Sequence, residues 1–120
     1  MKDSPLRNKS LDFAVRVVQL SRMLRDEKRE YALADQFLRS GTSIGANLSE
    51  AACAPSPKDF LNKCKISLKE CSEALFWIRL FERCELLPAN ETESIRADCE
   101  ELRKMLSASC KTVEERLADQ

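Results

Sequence analysis

The sequence predicts an all-α protein, an antiparallel up-and-down four-helix bundle formed by residues 1–120 as a single domain. Only two glycines and four prolines occur in 120 residues, so few positions break a helix. Apolar residues make up 43% of the chain, and they recur at intervals of three and four, as in a helix with one buried face. Short polar segments between these stretches favour antiparallel neighbours. We expect helices at about 10–28, 30–54, 57–86 and 91–117.

The first predicted helix carries more apolar surface than one bundle face requires. Its core stripe has helical spacing and consists of Phe13, Val17, Leu20 and Leu24. A second apolar strip, almost opposite the first, consists of Leu11, Val15 and Val18. A monomeric bundle would leave the second strip in water, so the strip predicts self-association. Asn8 or Ser10 is expected to cap the start of the helix.

The second half of the second predicted helix is rich in small residues, namely Ser40, Gly41, Gly45 and Ala46. Glycine inside a helix costs about 1 kcal/mol relative to alanine, so we expect compensation from a helix that approaches closely. Asn47 and Glu50 lie three residues apart and so share one face. Two interpretations of this pair stay open. It either hydrogen-bonds across helices and fixes their register, or contacts a ligand or partner at the mouth of the bundle.

The third predicted helix has a clear start and an unusually apolar second half. Ser56 supplies a capping hydroxyl, Pro57 takes the first helical position and Asp59 lies in the first turn. Its core stripe consists of Phe60, Cys64, Ser67, Cys71, Leu75 and Ile78. From residue 74 to residue 81 the helix is apolar nearly all round, which predicts burial on several sides. We therefore expect an oligomer interface formed by Phe76, Trp77, Leu80 and Phe81.

The fourth predicted helix has the pattern of a helix with one buried face. Asn90 followed by Glu93 forms a capping box that would begin it. Its core stripe consists of Ile95, Cys99, Leu102, Leu106, Ser109 or Cys110, Val113 and Leu117.

The residue inventory argues against an enzyme. The chain has no histidine, which removes Ser-His-Asp and Cys-His nucleophile systems and the Glu-x-x-His pairs of di-metal bundles. No Gly-rich phosphate loop occurs. The six cysteines lack C-x-x-C spacing, and those on apolar stripes, read as small buried hydrophobes, are Cys64, Cys71, Cys99 and Cys110. We therefore expect no catalytic residue, no cofactor and no metal site.

Charge is balanced overall but unevenly placed. Lys plus Arg and Asp plus Glu both number 20, and a net charge of zero is not that of a dedicated nucleic-acid binder. Two basic stripes occur, Arg22, Arg25 and Arg29 on the first helix and Lys58, Lys65 and Lys69 on the third. They are either solvated helix faces or contacts to phosphates. No aromatic residue is interleaved with them, which argues against stacking on single strands.

The hydropathy of the chain indicates in which cellular compartment to expect the protein. No apolar run resembles a leader or approaches the length of a membrane span. We therefore expect a cytoplasmic protein with no membrane partner.

Two segments, RSGTSIGANLSEAA and KDFLNKCKISLKECSEALFWI, resemble the four-helix-bundle family of the 23S rRNA intervening-sequence proteins. The first set of matching positions is Arg39, Ser43, Ile44, Asn47 and Glu50. The second set is Lys58, Asp59, Phe60, Leu61, Ser67 and Glu70. The chain differs from the family at Ala51, where the family usually has glycine.

The resemblance implies an antiparallel bundle that assembles into a homopentameric ring. Relatives in this family include accessory proteins to the reverse transcriptases of diversity-generating retroelements, which engage nucleic acid and polymerase. We therefore expect a non-enzymatic homo-oligomer that acts as an RNA- or ribonucleoprotein-associated adaptor. The alternative is a protein–protein scaffold with no nucleic-acid role, which the zero net charge favours.

Overall fold

The computed structural model describes residues 4–119, which form four α-helices in an antiparallel bundle that measures 52 × 23 × 21 Å. The helices are α1 (Pro5–Asp26), α2 (Tyr31–Ala51), α3 (Pro57–Arg83) and α4 (Ala89–Ala118). Each helix packs along its neighbour in the chain, and α1 also contacts α4, though less closely. Consequently α1 and α3 occupy diagonally opposite corners of the bundle. The predicted all-α four-helix fold is confirmed.

Two of the helices begin with the same local signal. The Ser56 Oγ accepts a hydrogen bond from the Asp59 N–H at 3.2 Å, and Pro57 follows it, so the predicted start of α3 is confirmed. The Ser4 Oγ accepts from the Arg7 N–H at 3.2 Å at the start of α1. The prediction of Asn8 or Ser10 as the cap of α1 is wrong, because the helix already begins one to two turns earlier, at Pro5.

The other helix ends also differ from the sequence prediction. The expected capping box at Asn90 is not formed, because α4 begins at Ala89 and the Pro88 carbonyl accepts from the N–H groups of its first turn. Helices α1, α2 and α3 end two to three residues before the predicted positions 28, 54 and 86. Arg29 and Glu85 take left-handed backbone conformations, with φ of 56° and 55°, and these reverse the chain after α1 and α3.

The buried core follows the predicted stripes. The four α1 stripe residues are at most 4% exposed, and Cys64, Cys71, Leu75 and Ile78 of α3 are equally enclosed. Phe81 is fully buried, and its ring meets that of Phe37 edge to face at 5.2 Å between centroids. The prediction of Phe81 as an oligomer-interface residue is therefore wrong, because this side chain fills the core of its own subunit.

Glycine allows α1 and α2 to approach closely. A Cβ at Gly41 would lie 2.7 Å from both Cγ atoms of Val17, and one at Gly45 would lie 3.3 Å from the Ser10 Oγ. The close approach expected from the small residues of α2 is confirmed at these two positions.

Ion pairs and a hydrogen bond connect α1 to α4 at the surface of the bundle. The Arg16 guanidinium donates to Asp98 at 2.7 Å and to the Ser94 hydroxyl at 3.0 Å, and it lies 3.4 Å from Glu91. Lys9 forms a further pair with Glu101 at 3.3 Å. These contacts define the α1–α4 seam.

Candidate functional site

Several polar residues of the sequence motif tie α2 to α3. The Ser67 Oγ donates to the Ile44 carbonyl at 2.9 Å inside the core. The Arg39 Nη1 donates to the Glu70 carboxylate at 3.0 Å, and the Arg39 Nη2 also contacts Glu73. Buried polar groups need such partners, and these contacts fix the axial position of one helix against the other. This part of the motif has a structural role.

Asn47 and Glu50 lie close in the sequence but bind different partners. The Asn47 Nδ2 donates to the Ser43 carbonyl of its own helix at 2.9 Å. The Glu50 carboxylate accepts from the Lys63 Nζ on α3 at 3.1 Å, and both side chains are more than one third exposed. The interpretation as a cross-helix contact therefore holds for Glu50 and is wrong for Asn47.

The first basic stripe is shorter than the sequence indicates. Arg22 is exposed on α1, whereas Arg25 pairs with Asp35 of α2 and lies 5.5 Å from the centre of the Tyr31 ring. Arg29 lies outside α1, in the turn before α2. The three side chains therefore do not share one helical face, because the helix ends before the last of them.

The second basic stripe belongs to a longer array on the outer face of α3. Positions spaced alternately by four and three residues return to one side of a helix. All eight such positions from 58 to 83 are exposed, and we name this set the outer ladder: Lys58, Asn62, Lys65, Lys69, Ser72, Phe76, Arg79 and Arg83. The ladder holds five cations and no acid, and it extends over about 37 Å at 1.5 Å per residue.

Most of this positive charge is only weakly compensated. Lys65 lies 3.7 Å from Glu114, and Arg79 lies 3.9 Å from Glu100, with each of the two cationic side chains more than half exposed. Exposed pairs of this kind are worth little in water. Among residues 4–119 the other three ladder cations have no ion-pair partner.

Phe76 is the aromatic member of the outer ladder and is 58% exposed. Its ring meets Trp77 edge to face at 5.1 Å and 74°, and the Trp77 Nε1 donates to the Glu73 carboxylate at 3.3 Å. As predicted, no aromatic residue lies on this face between Lys58 and Lys69, but the cations continue to Arg79 and Arg83, and Phe76 lies between Lys69 and Arg79. The spacing of seven residues from Lys69 to Phe76 indicates that both residues lie on one face of the helix. Grouping Phe76 with the apolar residues 74–81 concealed this relation.

The remaining predicted interface residues of α3 are less exposed to solvent than Phe76. Trp77 and Leu80 are half-buried, and Trp77 packs against the core of its own subunit. The second apolar strip of α1 is more open, because Leu11 is 64% and Val15 is 50% exposed. A groove of about 380 Å³ runs beside this strip, between α1 and α2, and its floor includes Gly45 and Ala46.

The two basic regions face different directions. Arg22 lies near the end of α1, whereas Lys58 and Lys65 lie in the first half of α3, which begins at the opposite end of the antiparallel bundle. The two helices are also at diagonal corners. Within one subunit the structure therefore does not bring the two predicted stripes together.

The cysteines divide into four buried and two exposed thiols. Cys53 and Cys84 are exposed. Burial raises the pKa of the Cys64 thiol to about 11, and it also raises the pKa of Cys110. The hydrogen bond with Cys71 and burial together raise the pKa of Cys99, whose Sγ lies 3.8 Å from that of Cys71. The thiols of Cys64, Cys99 and Cys110 therefore remain protonated at neutral pH and pack as apolar groups.

No group of three or more Cys, Asp or Glu side chains in residues 4–119 is arranged to hold a metal ion. In the same range, every helix is too short or too polar to cross a membrane.

Comparisons with known proteins place this fold in a family. A protein of unknown function from the S23 ribosomal protein family of Bacteroides thetaiotaomicron, known from a crystal structure, is 45% identical with a TM-score of 0.86. The match covers 88% of this chain and 98% of that one. No curated protein matches the chain. Neither the family nor this relative is described as an enzyme. The sequence model described as 23S rRNA-intervening sequence protein matches residues 2–108, and the chain belongs to this family.

Proposed function

We propose that this protein is a non-enzymatic RNA-associated adaptor that binds RNA through the outer ladder of α3. The observation that carries the proposal is the run of five cations without an acid along one exposed helix face. The family description and the relative's ribosomal family name support RNA as the polyanion. The zero net charge of the chain is compatible with this function, because a cluster of cations acts on phosphates over about 10 Å at 0.1 M salt.

The expected strength of this interaction follows from counterion release. Each phosphate that a cation neutralises contributes about 0.7 to 0.9 to the slope of log K against log salt concentration. Five contacts would give a slope of about −4, so affinity should fall roughly 10²-fold between about 50 and 200 mM salt.

The test is fluorescence anisotropy with a labelled RNA stem-loop over that salt range. Replacing Lys58, Lys65 and Lys69 with glutamate should abolish measurable binding at 150 mM salt, because three attractive contacts become repulsive. A matched control replaces three exposed lysines outside the ladder with glutamate, namely Lys28, Lys104 and Lys111. This control has the same net charge as the ladder variant and should bind at least ten times more tightly. Equal affinities of the two variants would contradict the proposal.

The apolar strip of α1 supports the second part of the proposal, a homo-oligomer. The strip and the adjoining α1–α2 groove carry exposed Leu11 and Val15 next to small α2 residues, a combination that suits packing against another helix. We propose a pentamer as its size, on the resemblance stated above. Sedimentation velocity should report a larger species for the wild type and a monomer for Leu11→Glu/Val15→Glu.

A matched control adds two glutamates outside both the strip and the groove, at the exposed α4 positions Ser107 and Thr112. This variant should keep the wild-type sedimentation coefficient. A wild type that sediments as a monomer at every concentration would refute self-association. In that case the exposed strip would favour the scaffold function, in which a different protein covers it.

A further inference from the structure

We propose that the outer ladder recognises unpaired RNA, because Phe76 offers a stacking surface for a base between cations that hold the flanking phosphates. This inference rests on the proposed function and names its substrate class. A single strand exposes both base faces and phosphates, whereas a duplex exposes phosphates and keeps its base faces stacked inside.

The position of Phe76 on the helix suits this task. Lys69 precedes it by seven residues and Arg83 follows it by seven, which places each of their Cα atoms about 10 Å away along the axis. Arg79 is three residues away, less than one turn. All three cations are on the same exposed side as the ring, and their long side chains can reach phosphates on either side of a stacked base.

Contacts with neighbouring side chains also restrict the position of the Phe76 ring. Trp77 meets it edge to face, and the Trp77 indole is fixed by its hydrogen bond to Glu73. Glu73 in turn contacts Arg39, which donates to the Glu70 carboxylate at 3.0 Å. This chain of contacts restricts the aromatic pair before a ligand arrives, so less conformational entropy is lost on stacking. It also gives the Arg39 and Glu70 positions a role in supporting the ring.

The charges around Phe76 favour RNA, rather than a second copy of this chain, as the molecule that contacts the ring. Lysine is depleted in protein–protein interfaces, and a symmetric contact between two α3 helices would bring two five-cation ladders together. A single strand satisfies the ring and the cations at the same time. Exposed rings flanked by cations are the arrangement by which proteins hold single strands without reading their sequence.

The test compares two labelled probes, a 20-nucleotide oligouridylate and a blunt 20-base-pair RNA duplex, at one salt concentration. Phe76→Leu keeps an apolar side chain but removes the ring. We expect it to weaken oligouridylate binding by about 5- to 150-fold, the range for one lost base stack, and duplex binding by less than about twofold. The salt slope for oligouridylate should not change, because no phosphate contact is lost. Phe76→Trp should retain wild-type affinity.

A matched control removes another exposed ring by the substitution Tyr31→Leu, since Tyr31 is 53% exposed and lies outside the ladder. This variant should bind both probes as the wild type does. Trp77 is the only tryptophan, so its emission reports on the neighbourhood of Phe76 and should change when oligouridylate binds.

The outcomes separate this inference from the function on which it rests. If the wild type binds neither probe, the proposed RNA function fails. If it binds RNA and Phe76→Leu leaves oligouridylate affinity unchanged, the function stands and the stacking role is overturned. Equal losses on both probes, or a smaller sedimentation coefficient for Phe76→Leu, would also overturn the stacking role, the latter by making Phe76 a subunit contact.

Discussion

At Gly41 the helices α1 and α2 approach each other closely, and the substitution Gly41→Ala tests that geometry. The added Cβ would lie 2.7 Å from two Val17 carbons, about 1 Å inside the usual contact distance of 3.5–4.0 Å. Val17 is fully buried, and its branched side chain has one strongly preferred rotamer in a helix. The strain must therefore be relieved by displacing α1.

The expected magnitude follows from two opposing terms. Overpacking a core costs about 1–3 kcal/mol, and replacing a helical glycine with alanine returns about 1 kcal/mol. With two close contacts at a rigid residue we expect the upper part of the first range, a net loss of about 1–2 kcal/mol. At about 4 °C per kcal/mol for a chain of this size, Tm should fall by about 4–8 °C.

Gly45→Ala is the matched control in the same helix. Its Cβ would lie 3.3 Å from the Ser10 Oγ, a contact that a small shift relieves, so stability should rise by up to about 1 kcal/mol. In a Val17→Ala background both Cγ atoms are gone and the closest remaining Val17 atom, Cβ, would lie 3.1 Å away, so Gly41→Ala should cost much less stability there than in the wild type.

Thermal unfolding followed by circular dichroism, at one fixed protein concentration, measures all of these variants. If Gly41→Ala raised Tm as much as Gly45→Ala in the wild-type background, the described packing of α1 on α2 would be refuted.

Three further predictions follow from local contacts. Ser56→Ala should lower the free energy of unfolding by about 1 kcal/mol in urea titration, since it removes the cap of α3, and a change below about 0.3 kcal/mol would contradict that role. Ser67→Ala should cost about 1 kcal/mol by the same measurement, because the hydrogen bond to the Ile44 carbonyl is lost inside the core; an unchanged stability would argue against that bond. Cys53 and Cys84 should react rapidly with a dithiobis-nitrobenzoate reagent, while the other thiols react only on unfolding; rapid reaction of more than these two would show that the core thiols are open to solvent.

The elements that sequence reasoning predicts well are those encoded by local or strongly periodic signals. The start of α3 at Ser56 and Pro57 is one case, and the Phe13 and Val17 core stripe is another. The start of α1 carries the same Ser-Pro signal, at Ser4 and Pro5, which periodicity alone did not reveal. The start of α4 was missed because a capping pattern in the sequence does not guarantee that the helix begins there.

The candidate RNA-binding surface was harder to predict because it depends on direction around a helix. Along the apolar stretch of α3, Phe76 and Phe81 are equally hydrophobic, yet one is 58% exposed and the other fully buried. Five residues correspond to an angle of about 140° around the helix, which separates the two faces. Likewise, two basic stripes look alike in sequence, whereas only the packing of four helices shows that α1 and α3 are diagonal.

The α1–α4 seam bears on how the bundle opens and closes. The other three helix pairs join neighbours in the chain. The seam joins the first helix to the last and therefore closes the longest loop. Because α1 approaches α4 less closely than it approaches α2, and because Arg16 and Lys9 supply ion pairs there, we expect its attachment to α4 to weaken as the salt concentration rises. We therefore expect α1 to be the first helix to detach, exchanging its amide hydrogens at a lower free energy than α3 does. The strip that carries Leu11 and Val15 is on this same helix. Another subunit packed on the strip would therefore also oppose the detachment of α1.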